Sequence, residues 1–358
     1  MPDAPIFAHQ HFEPEKVVQP DLPAKLLQQV ACGGAHTLLV TASGRLLSCG
    51  LGEHGQLGLG SLESTGVFQE VAGVESIAHV AAGHWHSLAV SKKGTVYSWG
   101  ANKHQQLGVP ASALPSASGT AVPIAVTALH GAGVRQVACG ALHSMAVTDD
   151  GEVYTWGYGK DGRLGHGDED DLGLPRRVEA LRGEKIKSVF AGHDVSAAVS
   201  MAGKAWLWGA GFFWQLAQAD NKARLEPAAL DSAYSIRHLD FGAQHAAAVT
   251  HSGVVLTWGN SDMGVLGLGD QVKGVVKTPE VVSAPAQLQN AKMVACGAHH
   301  SVILTSVGDV FACGHGQHGK LAQGEANEFD LFTARQIKGL MGKGIAQIAA
   351  GLTHSAAF

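Results

Sequence analysis

Seven near-copies of one short motif run through this chain, and a fixed repeat constrains folding more than any local propensity, because each copy must bury its apolar face against the next. The motif is Ala-Cys-Gly-Gly-Ala-His from Ala31. It returns as Ala-Ala-Gly-His-Trp-His, Ala-Cys-Gly-Ala-Leu-His, Ala-Gly-His-Asp-Val, Phe-Gly-Ala-Gln-His, Ala-Cys-Gly-Ala-His-His and Ala-Ala-Gly-Leu-Thr-His. The anchor glycines are Gly33, Gly83, Gly140, Gly192, Gly242, Gly297 and Gly351, separated by 50, 57, 52, 50, 55 and 54 residues. In the first six copies a turn glycine follows 11 residues on, the Gly of a Trp-Gly or Cys-Gly pair 17 on, and a leucine 24 on. The cores 33–58, 83–108, 140–165, 192–217, 242–267 and 297–322 are therefore constant, and only the 24 to 31 residues that join them vary.

Each core reads as β structure. Residues 36–41 and 45–49 are β-prone runs flanking Ala42-Ser43-Gly44, where glycine supplies the positive φ of a tight hairpin. A polar, glycine-containing loop such as Gly52-Glu53-His54-Gly55 follows the Trp-Gly pair, and a further extended segment, usually with proline, leads to the next anchor. Roughly four strands per ~50 residues, without a long helical period, is the arithmetic of propeller blades. The expectation is an all-β, seven-bladed propeller forming one domain over 1–358. Its partial seventh unit, 345–358, is completed by about 1–29. Ile6-Phe7-Ala8-His9 resembles Val310-Phe311-Ala312-Cys313 in register, so pairing of the amino- and carboxy-terminal segments would close the ring and hide two sheet edges.

Gly83-His84-Trp85-His86, Lys93-Gly94, Trp99-Gly100 and Gly55-Gln56-Leu57-Gly58 together resemble the landmarks of the regulator-of-chromosome-condensation repeat family, over residues 20 to 358. The resemblance implies the propeller fold and three functional classes: a non-catalytic protein-interaction scaffold or regulatory subunit, a guanine-nucleotide exchange factor for a small Ras-like GTPase, and a UV-B light sensor. The first is favoured, because one scaffold hosts many activities. Ran-type exchange is disfavoured: the first sixteen residues carry Asp3, Glu13 and Glu15 rather than a basic tail, the third unit keeps the common Gly157-to-Leu164 spacing, and Ala141 stands where the exchanger has an Asp. The photoreceptor pattern needs Trp directly after the anchor glycines, and Trp85 is displaced by one.

Composition narrows the partners. The chain is 46% hydrophobic and 15% charged, too apolar to stay disordered. Its net charge is −5 with no basic block, so no nucleic acid is expected. No apolar run approaches the roughly 18 to 20 residues of a membrane span, and no signal peptide is visible, so no membrane insertion is expected. Cys32, Cys49, Cys139, Cys296 and Cys313 lack C-x-x-C spacing, which points to a reducing compartment, cytoplasmic or nuclear.

Neither catalytic, cofactor-binding nor metal-binding residues are expected. The repeated His36, His86, His143, His245, His300 and His354 would lie too far apart around a ring to share one ion, since zinc needs ligands at about 2.1 Å. They are expected to be structural, each hydrogen-bonding locally to hold its blade. No nucleophile elbow or phosphate loop appears. The sharper signals are departures from the repeat. Val195 replaces the repeated His, and Phe212-Phe213-Trp214 fills a loop that is elsewhere polar, so these aromatics are either packed under a neighbouring segment or exposed as a contact patch with Trp214 as its anchor. The acidic run Asp168-Glu169-Asp170-Asp171 is a second candidate for a partner contact.

Overall fold

The structure, a computed structural model, describes residues 6–7, 26–283, 285, 288, 290–324 and 329–358. Each of the first six repeats folds into one four-stranded antiparallel sheet, and the strands follow in sequence order from the inner edge outward. The first blade comprises Leu27–Cys32, His36–Thr41, Leu46–Gly50 and Thr65–Glu70. The second comprises Ile77–Ala82, His86–Ser91, Val96–Ala101 and Gly119–Ala125. The inner strands of all the sheets surround a central channel of about 480 Å³.

The second strand of every blade is buried at all six positions. Successive side chains of a strand point to opposite faces, so both faces of this strand must be covered. Neighbouring blades cover them. Leu38, Val40 and Leu46 of the first blade pack with Ile77, Val80, Ala89 and Trp99 of the second, so the apolar core lies between blades.

The anchor glycine has a physical reason. A Cβ on Gly83 would sit 2.4 Å from the His86 ring and 2.6 Å from the carbonyl oxygen of Gly140 in the next blade. The repeated histidine stacks against this bare Cα and reaches across the seam. Nε2 of His36, His86, His143, His245 and His300 meets the hydroxyl of Ser87, Ser144, Ser196, Ser301 and Ser355 at 2.8 to 3.0 Å, each time on the following sheet. Ser87, Ser144 and Ser196 in turn donate to the carbonyls of Gln56, Gln106 and Arg163, so the imidazole Nε2 donates to the serine. The bond expected within a blade thus runs between blades. Backbone bonds such as Gly34 N to Gly83 O and His84 N to Ala141 O tie the same seams.

The expectation of seven blades is corrected to six. The seventh repeat supplies only Ile348–Ala350 and Ser355–Ala357, and these join Ile6–Phe7 in a three-stranded sheet. Too few strands remain in that repeat to build a complete blade. The terminal segments do pair, Ile6 with Ala357 and Phe7 with Ala356, and His354 Nε2 lies 3.1 Å from Thr37 Oγ1 of the first blade. Ala8 and His9, with most of residues 1–29, lie outside the described residues.

Candidate interaction surface

Antiparallel strand order fixes which loops share an end of the molecule. The connection between first and second strands and that between third and fourth strands both lie at one end, whereas the hairpin turns lie at the other. Residues 168–171 and 211–215 belong to third-to-fourth connections of the third and fourth blades. Both predicted patches therefore share the end that carries the anchor loops.

Phe212 is 54% and Phe213 37% exposed, while Trp214 is half-buried. Trp214 adopts φ 63° where the first, third and fifth units place Gly55, Gly162 and Gly264. At those glycines a Cβ would strike the outer strand of the next blade, as at Gly162 against Leu225 2.4 Å away. The fourth unit accommodates its large side chain with the Lys277 ammonium 4.5 Å over the indole. The chain thus keeps a left-handed tryptophan where glycine would be unstrained. Phe212, not Trp214, is the most exposed of the three aromatics.

Within the acidic run, Glu169, Asp170 and Asp171 are exposed and Asp168 is half-buried. Asp168 accepts from the Asp170 amide and lies 3.8 Å from Arg176, and Asp171 accepts from the Gly159 amide at 2.9 Å. The run is partly tied into its own loop.

Between these patches lies a network that the sequence reading missed. Arg163 is 2% exposed, donates to Asp194 at 2.5 Å and Asp161 at 3.2 Å, and stands 4.8 Å from the centre of the Tyr158 ring. Asp194 also lies 2.8 Å from Nδ1 of His193, whose ring meets His84 edge-on at 4.6 Å. His104 packs on Tyr158 and approaches Asp171 at 3.6 Å, and Trp85 packs edge-on against His54. Burial disfavours the Asp194 carboxylate, but the His193 contact and Arg163 outweigh it and bring its pKa down to about 2. Burial, then His193, pulls His84 down to about 4. The available signal was positional: Arg163 stands where three other units have Gln56, Gln106 and Gln215.

The six repeated histidines are buried in the seams, and His143 lies close enough to Arg163 and Asp194 to feel their charges. Among the described residues, no three His, Cys, Asp or Glu side chains converge as a metal site. Burial raises the thiols of Cys32 and Cys313 to about 12, far from thiolate reactivity. Among the described residues no helix is long and apolar enough to cross a membrane.

A sequence profile of the RCC1-like domain matches residues 8–357. The chain belongs to the RCC1-like domain family. It is 35% identical over 238 residues to the ultraviolet-B receptor UVR8 of Arabidopsis thaliana, covering 66% of this chain and 53% of UVR8. It is 34% identical over 344 residues to the E3 ubiquitin-protein ligase HERC2 of Mus musculus, covering 94% of this chain and 7% of that ligase. The chain thus spans about half of UVR8 and a small part of HERC2. Human WBSCR16 has the same fold at TM-score 0.82 and 25% identity, over 94% of this chain and 87% of that one. Prp20p of Saccharomyces cerevisiae, described with its binding to Gsp1p and histones, aligns at TM-score 0.80 and 20% identity over 100% of this chain and 91% of its own. That last likeness concerns fold alone.

Proposed function

We propose that this RCC1-like propeller is a non-catalytic protein-interaction module, acting as a scaffold or regulatory subunit. It binds a protein through the end that carries the anchor loops. The observation that carries this reading is the pair Phe212 and Phe213, exposed in a loop whose counterparts are polar, beside a tryptophan held at positive φ. A broken local rule inside a regular repeat tends to mark function, and exposed aromatics are typical interface anchors. Asp168, Glu169, Asp170 and Asp171 on the neighbouring blade favour a partner with a basic rim around an apolar centre.

The test is affinity capture with proximity labelling from the native source, comparing wild type with Phe212→Ser/Phe213→Ser. The double variant should fold normally and lose at least one reproducible partner, because hot-spot truncation costs on the order of 2 kcal/mol or more. An unchanged partner set defeats the patch.

The second reading is guanine-nucleotide exchange on a small Ras-like GTPase. Its support is the shared fold with Prp20p, whose described ligand is Gsp1p. Ran-type exchange is the weaker form, since the third unit has no insertion between Gly157 and Leu164. Release of fluorescent GDP from a panel of small GTPases separates the two readings.

A further inference from the structure

Around Arg163 and Lys320 the repeat builds one local framework twice and completes it differently. Both cations occupy the position one residue before the landmark leucine, and both are buried, Arg163 at 2% and Lys320 at 5% exposure. Both lean on a ring five residues earlier: Arg163 on Tyr158, Lys320 on His315, with Nζ 2.9 Å from Nδ1. Both carbonyls accept the serine of the next sheet, Ser196 and Ser355. The two side chains therefore start from the same place and run in the same direction.

Their counter-charges differ. Arg163 is held by Asp161, two residues earlier, and by Asp194, two residues past the next anchor glycine. The matching residues around Lys320 are His318 and Thr353. Asp330 is the carboxylate whose field Lys320 feels, but its Oδ1 accepts the Gly316 amide, and among the described residues none forms an ion pair with Lys320. His315 accepts through Nδ1, which leaves its Nε2 as a donor. His299 stands beside it, its backbone carbonyl bonded to the His315 amide. A buried ammonium with spare donors and, among the described residues, no carboxylate in direct ion-pair contact is costly. Burial also lowers the pKa of Lys320, as it does those of His299 and His315.

We infer that Lys320, with His315 and His299, forms an anion-binding site for a carboxylate, the group that Asp194 supplies at the equivalent place beside Arg163. It goes beyond the interaction patch of the third and fourth blades and does not depend on it. A partner that presents an acidic side chain to the sixth blade would complete the charge pattern that Asp161 and Asp194 complete around Arg163.

The experiment titrates the full chain with malonate and with inorganic phosphate at constant ionic strength, following the imidazole resonances of His315 and His299. Malonate should shift both and saturate. Lys320→Gln installs the residue that three other units carry, so it should fold, and it should weaken malonate binding at least tenfold. Thr353→Asp should abolish the response with Lys320 still present, because it supplies the missing internal carboxylate. An unchanged response in either variant overturns the site. So does a response to phosphate without one to malonate. A silent wild type that becomes responsive in Asp330→Asn would show Asp330 already filling the site, and also overturns it.

Discussion

The seam between the third and fourth blades and the seam between the fourth and fifth are built from the same repeat by opposite chemistry. At the former, His143 donates to Ser196 and the Ala141 amide bonds the His193 carbonyl. At the latter, Val195 stands for the histidine and Ala246 for the serine, and among the described residues no bond joins the His193 amide to Ala243. Phe241 fills the space: its Cβ lies 2.3 Å from where a Cβ on Gly192 would be, and Val195, Phe241 and Ala246 share one apolar cluster. The imidazole donor and the hydroxyl acceptor are absent together, so neither side chain leaves the other unpaired. A repeat can exchange a directional seam for an apolar one only by changing both sides, because one unpaired partner costs more than the pair contributes.

Acid should separate the two chemistries most strongly. Burial holds His86, His143, His245 and His300 at a pKa of about 3, against 6.5 for a free imidazole. Between those values the unfolded chain binds protons that the folded chain refuses, so stability is full above about pH 6.5 and falls as pH drops. Each ring removes up to about 1.4 kcal/mol per pH unit in that window. Four rings approach the whole stability of an ordinary domain by about pH 5. Thermal melts from pH 7.5 to 5 should show a steep loss, and amide exchange at pH 5.5 should rise at the histidine seams before the Val195 seam. A flat profile breaks the comparison.

Rebuilding the missing relay is the next test. Val195→His alone buries an imidazole opposite Ala246 and crowds Phe241, and should cost about 3 kcal/mol. Adding Ala246→Ser and Phe241→Ala restores the acceptor and the space, and should recover about 1 to 2 kcal/mol as a coupling energy. Urea unfolding of the single, double and triple variants measures it. Strict additivity would mean that the two seams differ for reasons outside the relay.

The anchor glycines, hairpin turns and Trp-Gly pairs made the blades legible, because each reports a backbone approach that recurs in the structure. The blade count was overread: seven anchors are present, but the seventh repeat carries two strands where a blade needs four. The serine after four of the six repeated histidines, His86, His143, His300 and His354, was visible as well. Its role was missed because the bond joins the histidine of one unit to the serine of the next, a pairing that no comparison within one repeat displays. Arg163 and Lys320 were missed for a related reason. Each is one altered letter where Gln is usual; Arg163 meets one charge in its own unit and one in the next, and among the described residues Lys320 has no ion-pair partner. The aromatic loop stands out in the sequence as a departure from the repeat, but which of its rings reaches solvent does not: Trp214, the expected anchor, is less exposed than Phe212.

Trp214→Gly should give the smallest effect and the sharpest sign. Glycine relieves the cost of φ 63° for a bulky residue, on the order of 1 kcal/mol or more. The same change removes the indole under Lys277, a half-exposed cation–π contact of about 0.5 to 1 kcal/mol, and loosens the unfolded chain by a similar amount. These opposing terms leave a net change within about 1 kcal/mol. A near-neutral variant that loses a partner captured by wild type would place the selection for tryptophan in binding. A loss of about 3 kcal/mol or more, the scale of a core aromatic, would instead make Trp214 a wedge that holds the fourth and fifth blades together where the His–Ser bond is missing. Chemical denaturation of this one variant, run beside Phe212→Ser, decides whether the aromatic loop serves the seam or the surface.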